Sequence, residues 1–75
     1  MIHFITGYSS EHDFPVYRQD LIVSVSQLKE IMRWEDEGEC VFSYKLNEEQ
    51  IKEIEKAAHV ELSKTLELYL DCEED

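Results

Sequence analysis

The stretch Leu46–Ala58, LNEEQIKEIEKAA, constrains this chain more than any other. Asn47 stands three residues before Gln50, so each can bond the other's backbone N–H, and Leu46 and Ile51 are spaced to close a hydrophobic staple over them. Glu48 and Glu49 lie in the first turn, where the helix dipole favours negative charge. Ile51, Ile54 and Ala58 then recur on one face, extended by Leu62 if the helix continues. Glu48→Lys52 is a favourable i,i+4 pair, whereas Glu49 and Glu53 repel at the same spacing.

A second start of the same kind lies upstream. Ser24–Gln27 is an S-x-x-Q box with Val23 and Leu28 as its staple, and Val25, Leu28, Ile31 and Met32 form the apolar stripe. The spacing predicts a helix through Trp34, stopped by Gly38 as a left-handed cap after Glu35-Asp36-Glu37. Val23–Arg33 and Leu46–Lys56 align over eleven positions and share Gln, Lys, Glu and Ile. Shared helix-start grammar explains the echo more simply than a duplicated β-α unit does.

Around the helices, short apolar runs read as strands. Met1–Thr6 is expected to be one, ended by Gly7, and the polar Tyr8–Pro15 a loop. Val16–Val23 places Tyr17, Leu21 and Val23 on one side at period two. Glu39–Lys45 alternates Cys40, Phe42 and Tyr44 against Val41 and Ser43 and carries the clearest strand signal of the chain. Beyond His59 the pattern changes. Leu66, Leu68, Leu70 and Cys72 share a period-two face, which favours a break at His59–Ser63 and a strand Thr65–Cys72 over one helix reaching Leu70. The expected architecture is therefore α+β in the order β-β-α-β-α-β, with two helices packed on one face of a sheet of three to four strands. Should the last two strands pair in parallel, the crossover through the second helix would be right-handed.

Seventy-five residues allow one domain. Residues 1–72 are expected to form it, with 73–75 as a frayed acidic tail. Eight aromatics and 43% hydrophobic residues suffice for a core. No run reaches the roughly 18 apolar residues of a membrane span. MIHFITGYSS lacks a basic region and a small-residue cleavage site, so it reads as a strand rather than a signal peptide. Cytoplasmic localisation with reduced thiols is the expectation for Cys40 and Cys72.

Charge is the compositional outlier, at −11 overall. Residues 1–34 hold four acids against three bases, net −1; residues 35–75 hold fourteen against four, net −10. That sign disfavours direct binding to nucleic acid and to anionic membrane. It favours a basic protein as partner, and rapid electrostatic association with it.

Catalytic, metal and cofactor chemistry finds no pattern. Glu11-His12-Asp13 is a solvated loop before it is a base or a metal site, since adjacent residues rarely point at one ion. His3 lies on a strand, and His59 at a helix end where the dipole suits an imidazolium. The two cysteines and three histidines lack zinc spacing. Glu35–Glu39 lacks the ligand alternation of a calcium loop. Gly7 and Gly38 form no phosphate loop, and no nucleophile has a base at a suitable spacing. An enzyme is not expected.

The candidate site is thus an acidic binding surface: Glu35, Asp36, Glu37 and Glu39, then Glu48, Glu49 and Glu53, with the tail Glu73-Glu74-Asp75. Trp34 and Tyr69 are its candidate rim anchors. In size and charge the chain resembles small anti-defence and host-takeover inhibitors, which implies occupation of a partner's nucleic-acid groove. The alternative is a self-associating structural or adaptor protein, a homodimer formed through an exposed sheet edge.

Overall fold

The computed structural model describes residues 1–74. Asp75, the last residue of the expected tail, lies outside the described residues. The elements are β1 (Ile2–Tyr8), β2 (Tyr17–Asp20), α1 (Val25–Met32), a 3-10 turn (Glu37–Val41), β3 (Tyr44–Lys45), α2 (Glu48–Ala58) and β4 (Glu67–Glu73). This is the expected α+β class and order. The sheet runs β2-β1-β4-β3, and all of its pairings are antiparallel, including β3 with β4. A parallel last pair with its crossover is therefore excluded; α2 and the loop after it return the chain beside β3 in the opposite direction.

Both helix starts form as their residues dictate. The Ser24 hydroxyl accepts from Gln27 N–H at 3.1 Å and the Asn47 side chain accepts from Gln50 N–H at 2.8 Å. Each glutamine returns the bond to its cap's N–H, at 2.9 and 3.0 Å. The two echoing segments follow the two edge strands, β2 and β3.

Helix ends are another matter. Both helices stop on a non-glycine residue in the left-handed region, Arg33 at φ 59° and His59 at φ 56°. The strain of that conformation is offset by bonds over the last turn: Trp34 N–H donates to Lys29 O and Val60 N–H to Glu55 O. Helix α1 thus ends at Met32, before Trp34, and Gly38 plays no capping part. Gly38 sits inside the 3-10 turn and has no positive φ.

The Glu39–Lys45 strand shrinks to Tyr44–Lys45 for a local reason. Asp36 accepts from Gly38 N–H at 2.6 Å, and the Glu39 carboxylate accepts from the N–H groups of Glu35 and Asp36 at 2.7 and 3.1 Å. These charge-assisted bonds cap the 3-10 turn, and within it Glu39 N–H donates to Asp36 O and Phe42 N–H to Glu39 O, so backbone groups are spent on the turn rather than on a ladder. The alternation of Cys40, Phe42 and Tyr44 is genuine but unused, and Phe42 is left exposed.

Strand β1 passes through Gly7 rather than ending there. A Cβ at that position would stand 2.8 Å from the Leu66 side chain and 3.0 Å from Tyr17 Cβ, so the glycine admits close packing inside the strand. Strand β2 is shorter than Val16–Val23, and β4 runs one residue into the segment expected to fray, with Glu73 opposite Ile2.

The core lies between the helices and one face of the sheet. Ile5, Leu68 and Leu70 meet Leu28 of α1 and Ile54 of α2, joined by Leu21, Trp34, Leu46 and Leu62. Leu62 enters from the α2–β4 loop, which Glu55 holds in place. The Glu55 carboxylate accepts from the Leu62 N–H at 2.8 Å and from Lys64 Nζ at 2.5 Å. The Leu62 amide first, and Lys64 second, hold the Glu55 carboxyl below the usual carboxylate range. A carboxyl depressed on folding stabilises the fold above its unfolded pKa of about 4.3, and that contribution disappears as pH falls through the folded value. Glu55→Ala is expected to cost about 2 kcal/mol by stranding the Leu62 donor. In thermal melts it should lower Tm by roughly 10 °C at neutral pH, with a smaller difference from wild type in acid.

A candidate acidic interaction surface

The two sides of the molecule treat their charges differently. On the open side of the sheet, away from the helices, pairs within and across strands absorb them. Arg18 donates to Asp20 at 2.8 Å and to Glu73 at 2.6 Å, and its guanidinium lies 3.8 Å from the centre of the Phe4 ring. Glu73 above all, then Asp20, raises the Arg18 pKa and fixes it as a cation. Thr6 Oγ1 donates to Asp71 at 2.6 Å, and Lys45 reaches Glu67 at 3.5 Å. Tyr8 and Tyr69 pack edge to face across the same side, 5.3 Å between ring centres.

On the helical side Glu55, Glu37, Asp36 and Glu39 are bonded within the chain, but a further set of carboxylates is not. The C-terminal turn of α1 and the first turns of α2 flank a groove of about 440 Å³, lined by Glu30, Ile31, Arg33, Asn47, Glu49, Gln50 and Glu53. The caps produce this arrangement. Left-handed Arg33 turns the chain off α1, and the Asn47 box starts α2 beside it, so both helices end their polar faces at one cleft. Among the described residues, the carboxylates of Glu30, Glu35, Glu48, Glu49 and Glu53 accept no hydrogen bond and form no ion pair. The expected Glu48→Lys52 pair does not close. Within the groove, three carboxylates face one guanidinium, that of Arg33.

The expected surface is thus divided. Glu49 and Glu53 line the groove and Glu48 is exposed beside it on α2, while Glu35, Asp36 and Glu37 are exposed in the turn that leaves α1. Part of that turn is committed internally. Asp36 and Glu39 cap the 3-10 turn, and Ser26 Oγ donates to Glu37 at 3.4 Å. Glu39 therefore belongs to the scaffold. Tyr69 projects from the opposite, open side of the sheet and does not border the helical acids. Glu73 is likewise spent on Arg18.

Trp34 is not a rim anchor. It is buried in the core at 7% exposure, tilted against Tyr44 with 5.5 Å between ring centres. Ending α1 at Met32 turns the indole inward, where its Nε1–H has no hydrogen-bond partner among the described residues. Glu30 and Arg33 are the groove residues that sequence reasoning missed. A signal for Glu30 existed, since it lies on the polar face of a helix whose box was legible. Nothing in the sequence marks Arg33 as the left-handed cap.

Burial raises the Cys72 pKa, with Cys40 and Asp71 adding to it, so its thiol stays protonated. Burial and then Glu39 raise that of Tyr44, whose hydroxyl donates to Glu39 O at 2.7 Å. His3 places its ring nitrogen 3.2 Å from Cys40 O, a bond that ties β1 to the 3-10 turn. Among the described residues no three His, Cys, Asp or Glu side chains converge to hold a metal ion, and no helix is long and apolar enough to cross a membrane.

Comparison with protein families finds a model that matches residues 2–71, described as "Domain of unknown function (DUF7683)". The chain belongs to this family. The match takes in β1, β2, β3, both helices and most of β4, so the groove-bearing helices and the sheet under them fall within the family domain. No curated protein and no solved structure matches the chain.

Proposed function

We propose that this domain is an acidic protein-interaction module that binds a basic surface of a larger protein through its helical side. The observation that supports it is the contrast between the two sides. Acids on the open sheet side have partners within the chain, whereas Glu30, Glu35, Glu48, Glu49 and Glu53 have none among the described residues. Unpaired like charges oppose folding, so their concentration around one groove has its counterpart in a cationic partner.

The finer form of the proposal is inhibition by nucleic-acid mimicry. Lys and Arg side chains that hold phosphates would accept the α2 carboxylates instead, and the partner's nucleic-acid site would be blocked. Such a module acts in the cytoplasm and needs no cofactor. The test is competition. Duplex DNA or RNA added to a complex of this domain with a basic nucleic-acid-binding protein should displace the domain in proportion to its own affinity. A ternary complex that persists at saturating nucleic acid would contradict mimicry and leave only binding.

Self-association remains the second reading, and a specific observation favours it: the free edge of β2, which lies apart from the acidic groove.

A further inference from the structure

The two edges of the sheet are not equally protected. Strand β3 offers two residues, one of them Lys45, which is an ordinary defence against edge pairing. Strand β2 offers four, and its free side has a readable polarity. Leu21 N–H donates to His3 O at 3.0 Å, and the register pairs Gln19 with Ile5 and Tyr17 with Gly7. In an antiparallel ladder hydrogen-bonded pairs alternate with non-bonded ones. The odd residues Tyr17, Gln19 and Leu21 therefore bond inward to β1, and the backbone groups of Arg18 and Asp20 point out from the sheet. One of them, Asp20 O, is met by the chain's own Gln19 Nε2 at 2.9 Å, a substitute for a neighbouring strand.

We infer that β2 pairs with β2 of a second copy of this chain, antiparallel about a twofold axis at Gln19, to join two four-stranded sheets into one. That register is the one in which the edge complements itself. Arg18 of each copy lies opposite Asp20 of the other, so opposite charges face each other on both sides of the axis. The outward N–H and C=O groups of these residues become the bonded pairs, as the alternation requires, and Gln19 meets Gln19 as a non-bonded pair. Beyond the bonded pairs, where Val16 N–H turns inward to Gly7 O at 2.8 Å, the side chains of Val16 and Ile22 fall opposite each other. Both are exposed in the single chain, Val16 at 44% and Ile22 at 93%, and no intramolecular packing accounts for Ile22. Leu21, between the outward positions, is in the core. A shift of the register by two residues would place Arg18 against Arg18 or Asp20 against Asp20 and would lose the Val16–Ile22 contact.

The interface is small for a protein dimer, so a weak, reversible association is expected. It leaves both acidic grooves uncovered, so each dimer presents two of them. The inference stands independently of the proposed partner, since reversing helical charges does not touch β2.

Sedimentation equilibrium of the full chain at micromolar concentration tests it. The expected species is twice the 8.9 kDa chain. Ile22→Lys, at a side chain that contributes nothing to the fold, should weaken the dimer about a hundredfold with an unchanged circular dichroism spectrum. Phe42→Lys, at an exposed apolar residue far from β2 in the sheet order, should leave it intact. A monomeric wild type, or a dimer that Ile22→Lys does not weaken, would overturn the inference. So would a dimer that Phe42→Lys weakens equally.

Discussion

Trp34→Ala is expected to cost about 3–5 kcal/mol. A single core of this size supplies only about that much, so the variant should be largely unfolded by circular dichroism at room temperature. The reason lies in where α1 ends. Because Arg33 takes the left-handed conformation, the next side chain enters the core and packs against Tyr44. Trp34→Phe separates packing from polarity. The phenyl ring keeps most of the apolar contact and removes an Nε1–H that is buried with no acceptor. Leaving a buried donor unpaired costs about 1–3 kcal/mol, which offsets much of the lost volume. Trp34→Phe should therefore fold with a Tm close to wild type. A folded, cooperative Trp34→Ala would show that the residue sits at the surface after all.

The second large effect concerns binding. Reversing Glu48, Glu49 and Glu53 together to Lys changes the net charge from −11 to −5, six units for three substitutions. All three side chains are exposed, and among the described residues none is paired. Glu48 and Glu49 also favour the α2 N-terminus through the helix dipole, by about 0.3–1 kcal/mol each, so a modest fall in Tm accompanies the change. Binding to a basic partner should fall by far more. Replacing attraction with repulsion at three contacts costs several kcal/mol, or roughly a thousandfold in affinity. The same reversal on the open sheet side, at Glu67, should change binding little.

How far these features can be read from the chain depends on how local their causes are. Ser24 and Asn47 announce their helices because each box is completed within four residues. The strand after Ser63 is legible because Leu66, Leu68, Leu70 and Cys72 keep period two where a helix would scatter them. The ends of the helices are not legible, because Arg33 and His59 occupy a conformation that residue type does not favour, and bonds to Lys29 O and Glu55 O determine it. Cys40, Phe42 and Tyr44 mislead for the opposite reason. Their alternation is a true strand signal, overruled by the carboxylates of Asp36 and Glu39 bonding to nearby amides. Gly7 looks like a terminator because its actual role, clearance for Leu66, depends on a residue far along the chain.

The acidic surface is legible in composition and not in shape. Charge counting finds the excess beyond residue 34. It does not separate the glutamates that the fold consumes, Glu39, Glu55 and Glu73, from those it leaves free. That separation comes from backbone amides and from Arg18 and Lys64, which approach only in three dimensions. Tyr69 is a candidate anchor by residue type alone, whereas strand pleating turns it to the open side of the sheet beside Tyr8.

The most direct measurement of the central claim is the salt dependence of binding to a basic nucleic-acid-binding protein. If unpaired carboxylates on the helical side carry the interaction, affinity should fall steeply as ionic strength rises past the physiological range, where the Debye length is about 8 Å. The Glu48/Glu49/Glu53→Lys variant should show little binding at any salt concentration. Affinity that does not change with salt, or that survives the triple reversal, would contradict the account.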